Sequence, residues 1–186
     1  MIFIDDLLTR RWWDKKPYPH GLGYNIPMDY NEMSILEEFN TLKRIKAMNI
    51  PFKVFIVGCV LELSKNVPEI KEVIQWLVDN KIEICGHGYF HTEEEYLRGY
   101  NPEAEKVFNM LKEIQSPPFI WRYPRHEHVN QDYIEKLGFK VEKVDKYLDE
   151  SLLSVKSLEI LKNNEGINAM VHSCYLTRPI RKYMPQ

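Results

Sequence analysis

No stretch of about 18 apolar residues occurs in this chain, so nothing in it reads as a membrane-spanning helix. An excess of one charge is also missing. The 25 basic and 27 acidic residues leave a formal net charge of −2, and no global field recruits nucleic acid or an anionic membrane surface. Cysteine is sparse and odd in number: Cys59, Cys85 and Cys174 sit on or beside apolar runs. That excludes a disulfide framework and reads as buried free thiols in a reducing compartment. Internal repeats, low-complexity tracts and domain linkers are absent too. The start Met1-Ile2-Phe3-Ile4, followed by two acids, does not have the form of a signal peptide, so a cytoplasmic location is expected. What remains is a globular chain of 186 residues, 44% hydrophobic and 28% charged, expected to form a single domain over 1–186.

Short β-branched apolar runs alternate with amphipathic segments, the pattern of βα units around a parallel sheet. The strand candidates are Ile2–Ile4, Phe52–Val57, Ile82–Cys85, Phe119–Arg122, Phe139–Val144 and Asn168–His172. A first helix is predicted from Ser34, with Glu37 completing a capping box and Ile35, Phe39, Leu42 and Ile45 forming its apolar stripe, and Pro51 closes that segment. Pro68 starts a second, with Ile70, Val73, Ile74, Leu77 and Val78 on one face. Asn101-Pro102 opens a third, carrying Ala104, Val107, Phe108, Leu111 and Ile114. Asn130–Leu137 forms a fourth, stopped by Gly138 as a left-handed cap, and roughly Ser154–Lys162 a fifth. Six strands with intervening helices suggest a (β/α) barrel, but a full eight-fold barrel takes about 250 residues. The expected fold class is therefore α/β, a reduced or distorted barrel of six or seven parallel strands with outer helices. A doubly wound sheet is the competing topology. Residues 9–33, rich in Trp, Tyr, Pro and Gly, are too many for an ordinary connection and read as a functional loop insertion.

The polar residues fall at the ends of those strands. Asp5 and Asp6 follow the first, His87 and His91 the third, Arg122 and Arg125 the fourth, and His172 ends the last. In parallel βα architectures the carboxyl ends of the strands share one face, and sites are built there. Residues far apart in the chain are thus expected to converge. Two histidines and one carboxylate, with an open fourth position, are a common hydrolytic zinc arrangement, and the acidic pair leaves one carboxylate over as a base. Each piece also has an ordinary reading. The acidic pair would serve as a turn or helix cap, His-x3-His as an exposed helical turn, His172 as a satisfied buried histidine and Arg122 as a structural ion pair. Their joint occurrence, in this order and at strand ends, favours a metal site. Glu93-Glu94-Glu95 reads as a solvated helix start. Trp12 and Trp13 offer flat faces on which sugar rings stack, beside basic residues suited to phosphate or carboxylate; a lid packing its aromatics on the barrel is the alternative. His126 and His128 read as substrate contacts, extra ligands or exposed residues.

Four segments carry a resemblance: Phe3-Ile4-Asp5-Asp6, His87-Gly88-Tyr89-Phe90-His91-Thr92, Arg122-Tyr123-Pro124 and Met170-Val171-His172. In order and spacing they resemble the motifs of the polysaccharide deacetylase family, the NodB-homology or carbohydrate esterase family 4 fold, over nearly the whole chain. The resemblance implies that Asp6, His87 and His91 hold one divalent metal ion, with Asp5 as base and His172 as acid. Zinc is the first expectation, and cobalt, nickel, iron or manganese are tolerated by the same ligands. Arg122 would hold Asp5 ionised and oriented, and Asp145 is a candidate for orienting His172. Trp12, Trp13, Tyr89, Arg125 and His126 are the expected substrate contacts.

Departures from the family pattern surround these residues. Phe3 stands where Ser or Thr is usual, Leu7 where Gly is, Gly88 where a hydroxyl would brace the metal loop, and Arg125 where an aromatic follows. They leave the metal triad and the acid–base pair intact but alter the groove, so the usual polymer substrate is not carried over. The implied function is a metal-dependent hydrolase removing an N-acetyl or other N-acyl group from an amino-sugar carbohydrate, with a cytoplasmic sugar conjugate or nucleotide sugar favoured. An O-acetyl esterase would use the same apparatus. The alternatives are a non-catalytic carbohydrate-binding protein of the same fold and a metal amidohydrolase acting on a small non-sugar amide.

Overall fold

The computed structural model describes residues 1–5, 7–8, 32–89, 93–124, 129–142, 146–147 and 169–172. Its strands are β1 (Ile2–Asp5), β2 (Phe52–Ile56), β3 (Ile84–Gly86), β4 (Phe119–Trp121), β5 (Phe139–Val141), β6 (Lys146–Tyr147) and β7 (Ala169–His172). They form one seven-stranded sheet in the order β5-β4-β3-β2-β1-β7-β6, and every neighbouring pair is parallel. The helices are α1 (Glu32–Ala47), α2 (Gly58–Leu63), α3 (Pro68–Asp79), α4 (Glu93–Leu97), α5 (Asn101–Ile114) and α6 (Gln131–Lys136).

Taken as a ring, that strand order is simply chain order, interrupted once between β5 and β6. A doubly wound sheet would place the strand after the reversal beside β1 and step outward; here the last strand, β7, is the one that lies against β1. Chain length also forces the sheet to curl. Only residues 142–145 separate β5 from β6, and five extended steps span at most about 18 Å. The edges of a flat seven-stranded sheet would stand about 29 Å apart. The molecule is therefore a reduced, distorted (β/α) barrel whose seam, among the described residues, is not closed by pairing between β5 and β6.

Strand alternation sorts the core into two parts. Ile2, Ile4, Val54, Ile56, Ile84, Phe119 and Trp121 face outward into the helical layer. There they meet the stripes Ile35, Phe39, Leu42 and Ile45 of α1, Ile70, Val73, Ile74 and Leu77 of α3, and Ala104, Val107 and Leu111 of α5. Phe3, Phe55, Cys85, Ile120 and Met170 form a separate cluster on the concave side, with the Phe3 and Phe55 rings 5.3 Å apart. Lys53 is buried beside this inner cluster, bonded to Glu142 at 2.9 Å and Glu83 at 3.1 Å. Burial pulls its pKa down, but Glu142 first, with Cys85 and Glu83 adding to it, more than offsets this and leaves it raised.

Helix starts and stops follow local chemistry, with some differences from expectation. Pro68 and Pro102 occupy the first turns of α3 and α5, where a missing N–H costs nothing. Gly138, at φ 103°, ends α6 in a backbone conformation that side chains disfavour. Helix α1 already runs from Glu32, two residues before the start expected at Ser34, and the loop insertion ends before residue 32. The strand expected over Phe139–Val144 stops at Val141, and that over Ile82–Cys85 runs Ile84–Gly86. Helix α2 and strand β6 were not anticipated. Gly58, Cys59, Val60 and Leu61 are all buried, so α2 shows no amphipathic stripe and merges in the sequence with the strand before it. The helix expected at Ser154–Lys162 lies outside the described residues. Among those residues no helix is long and apolar enough to cross a membrane.

Candidate active site

Three side chains meet at the carboxyl end of the sheet. Asp5 is the last residue of β1, His87 follows β3, and Arg122 follows β4. Strands β1 and β4 are three positions apart in the sheet, about 14 Å if it were flat. Curvature closes that gap: Arg122 Nη1 lies 2.7 Å from Asp5 Oδ2, and His87 Nε2 lies 3.5 Å from the same oxygen. All three residues are buried. Phe55, from the inner cluster, forms the apolar floor, its ring centroid 5.6 Å from the Arg122 guanidinium carbon and 6.3 Å from the His87 ring.

Backbone bonds decide the state of His87. Its Nδ1 stands 2.9 Å from the carbonyl oxygen of Arg122, an acceptor only, so Nδ1 carries the hydrogen and donates it. In the neutral ring the lone pair is then on Nε2, the atom turned toward Asp5. The carboxylate has a committed and an uncommitted oxygen. Oδ2 is taken by the guanidinium, while Oδ1 is buried with no hydrogen-bond partner among the described residues. A buried acceptor left bare costs about 1–3 kcal/mol, so a donor or cation that reached Oδ1 would be stabilised there.

The loops bearing these residues are held from both sides. His87 N–H donates to the Ile56 carbonyl, and the carbonyls of Gly88 and Tyr89 accept from the N–H groups of Gly58 and Cys59, each at 3.0 Å. These are the first donors of α2, which has no side-chain cap of its own. Gly58 is required for this contact, because a Cβ there would collide with the Tyr89 ring and with Val107. Gly86 is equally confined: a Cβ would lie 2.8 Å from Trp121 Cε3. After β1, Leu7 N–H donates to the Phe55 carbonyl at 3.2 Å.

Two carboxylates that the sequence reading did not place at the site complete the frame. Glu38, buried on α1, accepts the Leu8 N–H at 2.8 Å. Glu95, 0% exposed, accepts the Tyr89 N–H at 3.0 Å. Glu95 therefore corrects the expectation of a solvated acidic run, although α4 does begin there. For Glu38 a signal existed: it lies three residues after Ile35 and four before Leu42, on the buried face of α1.

Tyr89, expected at the substrate, is spent on packing. Its ring lies against Gly58 and beneath Lys106 Nζ, 3.8 Å from the centroid, and its hydroxyl bonds to Glu62 and Lys106. His172 ends β7 in register with Asp5, which puts the two backbones side by side. Asp6, His91, Trp12, Trp13, Arg125, His126, His128 and Asp145 lie outside the described residues. Among the described residues no group of three His, Cys, Asp or Glu side chains converges as a metal site, since two of the three expected ligands are not among them.

The thiols take no part. Burial pushes Cys59 and Cys85 well above the ordinary thiol range, Glu95 adding to the effect at Cys59 and Glu83 at Cys85, so both are inert neutral groups near pH 7. Cys174 lies outside the described residues.

A curled parallel sheet with its polar cluster at the strand carboxyl ends defines the class of architecture, a distorted α/β barrel with a rim site. No protein-family model matches the sequence, and no curated protein does. Solved structures do match. Peptidoglycan deacetylase PdaC from Bacillus subtilis superposes with a TM-score of 0.55 at 14% identity, covering 97% of this chain and 80% of that one. An aspartate-to-serine mutant of the same protein gives the same values. At that identity the likeness establishes the fold, and the resemblance drawn from the four motifs is met at that level.

Proposed function

We propose that the protein is a divalent-metal-dependent deacetylase that hydrolyses the N-acetyl, or another N-acyl, group of an amino-sugar substrate. The observation that carries this reading is the buried Asp5–Arg122–His87 cluster at the rim of a barrel shared with a peptidoglycan deacetylase. Asp6, His87 and His91 would hold the ion, zinc by preference, with cobalt, nickel, iron or manganese as substitutes. The described residues fit such an ion in two respects: the His87 tautomer turns a lone pair inward, and Asp5 Oδ1 awaits a donor.

When bound, such an ion supplies an acidified water and polarises the acyl oxygen. The rest falls to side chains. Asp5 takes the proton of the attacking water on Oδ1, while Arg122 holds the carboxylate in place through Oδ2. His87 is kept in one tautomer by the Arg122 carbonyl, so a single residue orients both the base and a ligand. His172, in register with Asp5, delivers a proton to the departing amine, and Trp12, Trp13, Arg125 and His126 contact the sugar. A protein that merely bound carbohydrate would have little use for a buried charged cluster of this kind.

The test pairs elemental analysis with acetate release from a panel of N-acetylated and O-acetylated sugars and small amides. About one metal ion per chain, acetate released from an N-acetyl sugar, loss on chelation and recovery on adding zinc are expected. Asp5→Asn should keep the ion and lose turnover by about 10²–10⁴-fold, the span of a general base. Stoichiometric metal with no acetate from any sugar would overturn the substrate assignment.

A further inference from the structure

We propose that Glu38 and Glu95 are a matched pair of positioning residues that lock the two loops bearing the metal ligands, an inference that rests on the metal-site reading above. Each is a buried carboxylate carried on a helix, and each accepts one backbone N–H from a loop at the rim. Each of those N–H groups stands two residues beyond a proposed ligand: Leu8 follows Asp6, and Tyr89 follows His87. Among the described residues, the bonds these glutamates make are to backbone N–H groups of the rim loops. What they hold is the backbone that aims the ligands.

Burying a carboxylate is costly unless strong donors repay its lost hydration. Two such groups inside the helical layer need a reason, and a charge-assisted bond to an N–H is stronger and more directional than its neutral counterpart. Local backbone conformation shows what is being held. Leu8 sits at φ 63°, a left-handed conformation that is unfavourable for a side-chain-bearing residue and persists only where neighbours impose it. Gly88 sits at φ 76°. It also stands where the resembling family has a hydroxyl, so the brace that a Ser or Thr would offer is missing. Glu95 reaches the next N–H along and restores a brace from the opposite side. With Gly58 and Cys59 holding the carbonyls of residues 88 and 89, and Glu95 the N–H of Tyr89, this turn is secured at three of its polar groups. After β1, Leu7 N–H on Phe55 and Leu8 N–H on Glu38 do the same for the acidic loop.

Cobalt(II) titration of the full chain tests the pair, read by affinity and by the visible absorption band of the bound ion. Aspartate in place of glutamate keeps the charge but withdraws the oxygen by one methylene, whereas glutamine keeps an acceptor at the same reach. Glu38→Asp and Glu95→Asp should each weaken cobalt binding about tenfold or more and alter the band, as loss of outer support does at metal sites. Glu38→Gln and Glu95→Gln should recover most of that affinity. Folded aspartate variants with unchanged affinity and band would overturn the positioning role and leave the metal reading standing. A parent chain that binds no cobalt would overturn both. Should an aspartate variant not fold, amide exchange in the parent decides: cobalt should slow exchange at Leu8 and Tyr89 by about tenfold or more, and no change at either would overturn the proposal.

Discussion

Arg122 reaches across three strand positions of a curled sheet to place Nη1 2.7 Å from Asp5 Oδ2, and its own carbonyl receives His87 Nδ1–H at 2.9 Å. One residue thus ties a buried carboxylate to a buried imidazole, by its side chain on one and its backbone on the other. Coulomb attraction between Arg122 and Asp5 is offset by the desolvation of both, so the pair is better evidence of a constrained geometry than of net stability.

Breaking that pair from one side is therefore costly. Arg122→Met leaves the Asp5 carboxylate buried without its cation, and urea denaturation should show a loss of about 3–5 kcal/mol. Arg122→Lys retains the charge without the planar fork and should recover only part of that loss. The His87 contact, made through the backbone, should survive both changes, so cobalt or zinc binding should fall less than turnover does.

His172 separates amide from ester chemistry. Its proposed task is to protonate an amine that otherwise departs poorly, and an aryl acetate with a good leaving group needs no such help. His172→Ala should lower amide turnover by about 10²–10⁴-fold while leaving 4-nitrophenyl acetate hydrolysis within about tenfold of the parent. Equal losses on both substrates would remove the acid role.

Alkaline pH should destabilise the protein through its two buried thiols. Cys59 and Cys85 are pushed well above the ordinary 9.0 by burial, so above that pH the unfolded chain has released thiol protons that the native chain still binds. Stability contributed by these groups is complete below pH 9.0 and falls as pH rises past it, by up to about 1.4 kcal/mol per pH unit for each thiol. Lys53 acts in the same direction, since its raised pKa makes the native state retain a proton near pH 10.5 that the unfolded state gives up. Denaturation midpoints measured from pH 7 to 10 should be flat and then drop, and Cys59→Ala with Cys85→Ala should flatten the drop.

Much of the fold was legible because its signals are local. The stripes on α1, α3 and α5 repeat at helical spacing, and each became a buried face. Prolines 68 and 102 marked two helix starts. Elements without a local signal were missed. The apolar run from Val54 to Leu61 contains a strand and then the buried start of a helix, and hydrophobicity alone draws no line between them. Strand β6 is two residues long, Lys146–Tyr147, and exists through its pairing with β7.

Of the site, residue types and their order along the chain sufficed to nominate Asp5, His87 and Arg122, because parallel βα units deliver strand ends to one face whatever the loops contain. Sequence by itself determined the alternation of strands and helices and the polar residues set at strand ends. Tertiary structure alone decided that the sheet curls, that Asp5 and Arg122 touch, which nitrogen of His87 carries the hydrogen, and that Glu38 and Glu95 are buried rather than solvated. The reason is range. Backbone periodicity and turn chemistry act over a few residues, whereas each of those outcomes depends on where a donor or acceptor from a distant segment comes to lie.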